Sequence, residues 1–202
     1  ILGGTGALGT GLARRWAQAG YPIVIGSRTK EKAEEAVNEL KKVMAERGVA
    51  SVDVTAADNV SAAKQASIVA MTVPYDHHAS TLTAVKAELQ GKILIDVTVP
   101  LRPPKVGTVQ LPEAGSAGQE AQNLLGEGVK VVSAFQNVAA HHLQQGRAHK
   151  GQKGDHHRHR VAGQAEQDRL AAFAFDAADR HRPARPHRDA PEQHVAELLH
   201  HL

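Results

Sequence analysis

Ile1-Leu2-Gly3-Gly4-Thr5-Gly6-Ala7-Leu8-Gly9 opens the chain and carries G-x-G-x-x-G at Gly4, Gly6 and Gly9. Glycines at this spacing have separate mechanical roles. Gly4 permits a tight strand-to-helix turn, Gly6 lets the backbone approach a pyrophosphate, and Gly9 lets the next helix pack close to the strand. Thr5, Ala7 and Leu8 belong to the same phosphate-facing turn. A helical segment over 11–19 follows, and its start offers free N–H groups and a positive dipole end. Glycine-rich turns are common, but here an apolar stub precedes the turn and a helix follows it. The stretch therefore predicts an α/β protein of the Rossmann type, a doubly wound parallel sheet. A first strand needs about five residues, so this strand is expected to begin before Ile1.

The residues after the next strand choose the dinucleotide. Tyr21-Pro22-Ile23-Val24-Ile25-Gly26 is apolar and β-branched, as a buried strand requires. An NAD site would place Asp or Glu about 20 residues after the glycines to hold the ribose 2′-hydroxyl. This chain has Ser27-Arg28-Thr29-Lys30-Glu31-Lys32 there. A hydroxyl and several cations suit a 2′-phosphate. Arg28 can form two parallel hydrogen bonds to it and stack on adenine, and Lys32 is expected one helical turn further on. The competing reading is a solvated basic helix start. The cluster sits where the fingerprint demands a ribose reader, so NADP is the expected cofactor.

Strand and helix alternate as far as residue 140, the pattern of a parallel sheet. Ala33, Val37, Leu40 and Met44 form one stripe of a helix over 29–47. Strands are expected over 52–55, 68–73, 93–97 and 129–134, and helices over 80–89 and 119–125. The segment 102–118 is rich in Pro and Gly and reads as a loop.

Composition excludes several classes. The chain has 202 residues, a formal net charge of +3 and no cysteine. Disulfides, thiolate zinc sites and thiol nucleophiles are therefore excluded. The small net charge gives no sign of nucleic-acid binding. With no signal peptide and no apolar run long enough for a membrane helix, a soluble cytoplasmic protein is expected. Residues 141–202 differ in character and hold eleven of the thirteen histidines. His156, His157 and His159 stand close together, but they follow no helix or strand register and no carboxylate is placed to orient them, so no metal site is expected. Arg, Ala, Gly, Pro and His arise together when GC-rich DNA is read out of frame. The expected division is thus an NADP-binding domain over 1–140 and a tail over 141–202 foreign to the fold.

The chain resembles the NADPH-dependent reductases of coenzyme F420, an 8-hydroxy-5-deazaflavin. The resemblance rests on Leu2-Gly3-Gly4-Thr5-Gly6, Gly26-Ser27-Arg28 with Lys32, Thr72-Val73-Pro74-Tyr75-Asp76-His77, Val99-Pro100-Leu101, and Val131-Val132-Ser133-Ala134-Phe135-Gln136-Asn137-Val138. These motifs run in order through roughly the first 140 residues and are far more specific together than the glycines alone. The family continues with another strand, a Gly-Asp-Asp turn and a helical part, none of which is visible here.

The resemblance implies hydride transfer between NADP(H) and coenzyme F420, directly from nicotinamide C4 to deazaflavin C5 or back. The protein's task is then to stack two rings and exclude water. It implies that Val73, Pro74 and Tyr75, then Val99 and Pro100, then Asn137, Val138 and Ala140 border the cofactors, and that an intact member is a homodimer. His77 and His78 could donate a hydrogen bond to the deazaflavin or assist its proton, but two exposed histidines at a helix start are the plainer reading. Tyr75 is expected to pack on a ring. Asp96 is balanced between a functional and a structural role. Two other functions compete: an NADP-dependent reductase of a flavin, imine or β-hydroxyacid, and a non-catalytic NADP-binding regulator.

Overall fold

Leu2 joins what would otherwise be two separate sheets. Its N–H donates to Ala70 O at 2.7 Å, and its carbonyl accepts from Thr72 N at 2.9 Å. On the other edge, Gly26 N donates to Ile1 O at 2.8 Å and Gly4 N donates to Gly26 O at 2.9 Å. The stub Ile1–Gly4 is thus paired on both sides. The protein is described by a computed structural model over residues 1–49, 51–104 and 107–144. Strands β1 (Ile23–Ser27) and β2 (Val54–Asp58) pair in parallel on one side of the stub. On the other side, β3 (Ile68–Met71), β4 (Ile93–Asp96) and β5 (Lys130–Ser133) pair in parallel in that order. With the stub counted as the first strand, the sheet runs third, second, first, fourth, fifth, sixth. That is the dinucleotide-binding order, which reverses beside the first strand.

Alternation along the strands divides the core into two layers. Ile23, Ile25, Ile93 and Ile95 point to one face with Leu12, Trp16, Val37, Leu40 and Met44. These come from helices α1 (Ala7–Gln18) and α2 (Lys30–Glu46), and the expected stripe of α2 is buried. Val69, Met71 and Leu94 point to the other face with Ala62, Leu82, Val85 and Leu125. That face is covered by α3 (Asn59–Gln65), α4 (His78–Val85) and α5 (Ala117–Leu125).

Several expected boundaries move. β2 begins at Val54 and runs on to Asp58, past the expected end at 55, through Ala56 and Ala57, which have little β preference. Asp58 then caps α3, a helix absent from the sequence expectation, accepting from Ser61 N at 2.8 Å. β3 stops at Met71 because Thr72 and Val73 turn into the cleft described below and Pro74 has no N–H to pair. The helix expected over 80–89 begins at His78 and ends at Val85, with looser turns leading to Gly91 at φ +75°.

The expected boundary at 140 also falls short of the packed structure. α6 (Ala140–Gln144) lies on α1, with Leu143 buried in the core. Its last carbonyls are capped by arginines: Arg14 Nη1 and Arg47 Nη2 donate to Gln144 O at 3.0 and 2.7 Å, and Arg15 Nε donates to Leu143 O at 3.1 Å. The other readings of the tail, including its histidine cluster, fall on 145–202 and lie outside the described residues.

Gly9 shows why the turn is glycine-rich. A Cβ there would stand 2.7 Å from Gly4 Cα and 2.7 Å from Thr72 Oγ1. Backbone on one side and a hydrogen-bonded hydroxyl on the other leave little room to yield. Gly9→Ala is therefore expected to destabilise the fold by about 1–3 kcal/mol, the usual cost of overpacking. Urea denaturation checks this, and an unchanged midpoint would contradict the packing assignment.

Candidate functional site

A cleft of about 770 Å³ opens at the carboxyl ends of the strands, beside the point where the strand order reverses. Its floor is the glycine turn. Gly3 takes φ +64°, a left-handed conformation that side chains disfavour. A Cβ at Gly3 would also collide with Val73 Cγ1. Asn59 Oδ1 accepts from Gly3 N at 3.2 Å and so braces the turn from the end of β2. Thr5, Gly6, Ala7 and Leu8 then line the cleft. Gly6 is the N-cap of α1 and supplies no side-chain cap, so the first N–H groups of the helix are left for another acceptor. Above Gly6 there is room: the nearest atom to a Cβ placed there is Gly3 O, at 4.0 Å. An open approach over a helix start fits a diphosphate.

Ser27, Arg28 and Lys32 line the same cleft at the end of β1. Ser27 is buried, and the two cations are exposed. Among the described residues neither cation has an ion-pair partner, whereas Lys30 pairs with Glu34 at 3.3 Å. Arg28 precedes α2, so it is not on the same helix as Lys32, as the sequence spacing suggested; the strand-to-helix loop brings both to one cleft. Among the described residues, the acid that lines the cleft is Asp76, after β3 and not at this end, and the charge present here fits a 2′-phosphate.

The opposite end is more apolar. Val73 and Pro74 after β3 face Val97, Val99 and Leu101 after β4. Tyr75 lies between them, 6% exposed. Its hydroxyl donates to Glu120 Oε2 at 2.8 Å, its ring stacks on His78 at 5.9 Å between centroids, and Arg102 Cζ sits 4.8 Å above the ring. Burial, and then the Glu120 carboxylate, push the phenol above its ordinary value, so Tyr75 is a packed ring and not a ready acid.

The two histidines part company. His77 is exposed and lines the cleft. His78, expected to be exposed, is fully buried, and its Nε2 stands 2.8 Å from Asp96 Oδ2. A 3₁₀ turn over Tyr75–His77 runs directly into α4, and consecutive side chains on a helix diverge by about 100°, so the two neighbours meet different surroundings.

Six residues expected at the site do not line the cleft. Gly4 and Gly9 lie beneath it, packed against each other. Pro100 is buried behind Val99, with its carbonyl accepting from Gln110 N at 2.9 Å. Asn137, Val138 and Ala140 are turned away. Phe135 adopts φ +69° and meets Trp16 edge to face at 6.2 Å. This sends the chain back over α1, where Val138 packs on the core and Ala140 starts α6. Conversely, sequence reading missed Asn59, Thr72, Thr81 and Thr98 as lining residues. No spacing rule links them to the glycines; only the parallel topology brings them there.

Comparison with known proteins points to one family. Residues 1–100 match the family described as NADP oxidoreductase, coenzyme F420-dependent. A protein of Methanocaldococcus jannaschii named F420-dependent NADP reductase is 45% identical over 141 residues, covering 68% of this chain and 62% of the relative. One of Methanothermobacter marburgensis with the same name is 39% identical over 144 residues, covering 69% and 63%. The chain thus spans less than two thirds of the length of these curated relatives. A crystal structure of an Arthrobacter sp. FB24 protein, described as a candidate F420-dependent NADP-reductase, shares the fold with a TM-score of 0.55 at 24% identity, covering 68% of this chain and 62% of that one. Over residues 1–100 the chain is thus similar to the family of coenzyme F420-dependent NADP oxidoreductases.

Proposed function

We propose that this protein transfers a hydride between NADP(H) and coenzyme F420. The observation that carries the reading is a single cleft that joins the glycine turn, the Ser27–Arg28–Lys32 cluster and an apolar slot at the strand ends. The names of the two methanogen relatives support the acceptor.

Each part of the cleft has a task in this reading. The α1 start and the Gly6 backbone hold the diphosphate. Ser27, Arg28 and Lys32 hold the 2′-phosphate. Val73, Pro74 and Val99 give the nicotinamide an apolar seat and keep water from the reacting carbon. NADPH, when bound, supplies the hydride; with one proton from solvent the products are NADP⁺ and the reduced deazaflavin. His77, exposed on the cleft, is the candidate to pass that proton. A homodimer and a cytoplasmic location belong to the same reading and rest on the family resemblance. No helix among the described residues is long and apolar enough to cross a membrane.

Three outcomes test the reading. Arg28→Ala is expected to weaken NADPH binding by the worth of one charge-assisted phosphate pair, roughly 10- to 150-fold, and to leave NADH nearly unchanged. Equal loss for both would remove Arg28 from the 2′-phosphate site. Gly6→Val is expected to leave the circular dichroism spectrum intact and abolish NADPH binding, because the side chain enters open space that only the diphosphate needs. Full-length protein given NADPH and oxidised deazaflavin should bleach the deazaflavin's visible absorbance. A protein that reduces flavins or imines but never the deazaflavin would refute the acceptor assignment.

A further inference from the structure

Asp96 ends β4 with its side chain fully buried, and it does not line the cleft. It is nevertheless tied to all three segments that leave the strand ends nearby. Its Oδ2 meets His78 Nε2 at 2.8 Å, which reaches the segment after β3. Its Oδ1 accepts from Thr98 N at 3.0 Å, which shapes the segment after β4. Its main-chain carbonyl accepts from Gln136 Nε2 at 2.9 Å, which anchors the segment after β5. A carboxylate withdrawn from water is tolerated only with such partners, so both oxygens are committed to holding neighbours in place.

The ties lead to the cleft wall at second hand. His78 is oriented by Asp96, and the Tyr75 ring stacks on His78 with 29° between planes. Thr98, whose N–H Asp96 holds, lines the cleft itself. Tyr75 and Thr98 both stand at the apolar end, away from Ser27, Arg28 and Lys32. Among the described residues, His78 Nδ1 has no hydrogen-bond partner; Glu120 Oε2 is 4.0 Å away. Asp96 is therefore the imidazole's one hydrogen-bond anchor.

We propose that Asp96 is a positioning residue: through His78 and Thr98 it sets the wall of the ring-binding end of the cleft and leaves the adenosine end untouched. The assignment of the two ends rests on the NADP reading above. A residue needed only for folding would affect both ends alike, which gives the test.

Two ligands separate the ends. Adenosine 2′,5′-bisphosphate reaches only the Ser27–Arg28–Lys32 end, while NADP⁺ also reaches Tyr75 and Thr98. Affinities for both are measured by calorimetry on the full chain, for wild type, Asp96→Ala and His78→Gln. The glutamine keeps a donor for Asp96 and removes the ring beneath Tyr75, so it preserves the test should the alanine variant fail to fold. In each variant that folds, NADP⁺ is expected to weaken about tenfold, the scale of one lost bond to a charged group, and the bisphosphate by less than about twofold. Asp96→Asn keeps an acceptor for Thr98 N and a bond to the other His78 tautomer, so it should restore most of the NADP⁺ affinity. Equal weakening of both ligands, or of neither, overturns the proposal. Neither ligand involves the deazaflavin. A wild-type protein that binds both nucleotides but reduces no deazaflavin refutes the acceptor and leaves the role of Asp96 standing; one with no affinity for the bisphosphate overturns both.

Discussion

The insertion of Ile1–Gly4 between β1 and β3 is the constraint on which the rest depends. Four backbone hydrogen bonds of 2.7–2.9 Å hold the stub on its two edges. Without them the strands form a pair and a triplet with no common sheet. With them, the strand order reverses beside the stub and a crevice must open at its carboxyl end. The glycine turn continues directly from this stub. Its position is fixed by the sheet and not by the loop, which is how a short flexible sequence becomes a rigid cradle.

The glycines divide the labour differently from a plain reading of the spacing. Gly9 and Gly4 are needed because protein atoms occupy the space beside them. Gly6 is different: its surroundings are open. Glycine at Gly6 thus fits the approach of a ligand, whereas at Gly9 it fits packing. Gly3, outside the spaced motif, has the one left-handed backbone of the turn, and Asn59 from a distant strand end holds its N–H. Motif spacing records local geometry well and says nothing about a brace fifty-six residues away.

The same distinction marks what could be read from the sequence. The sheet, the α2 stripe, the glycine turn and the basic cluster after β1 were legible because each depends on residues close in the chain. The wall of the cleft was legible only in part. Val73, Pro74, Tyr75 and Val99 follow strand ends and line it. Asn137, Val138 and Ala140 also follow a strand end, yet the left-handed Phe135 and its contact with Trp16 turn them onto α1. No periodicity announces a left-handed phenylalanine. His77 and His78 were inseparable by type, yet one lines the cleft and the other is buried against Asp96.

The two ends of the cleft are therefore held by different physics. At the end proposed for adenosine, Arg28 and Lys32 are exposed cations, whose attraction for a phosphate would weaken as salt rises. They cost the fold little, because they need no burial and no partner. At the end proposed for the ring, the polar groups behind the wall are withdrawn from water, where a hydrogen bond to another part of the protein counts for more than at the surface. Asp96 makes such bonds with His78, Thr98 and Gln136 at once. Affinity for charge can thus be supplied by exposed surface groups, whereas seating a flat ring calls for walls held from behind. Buried hydrogen bonds hold such walls, and Asp96, which does not line the cleft, takes part in three of them.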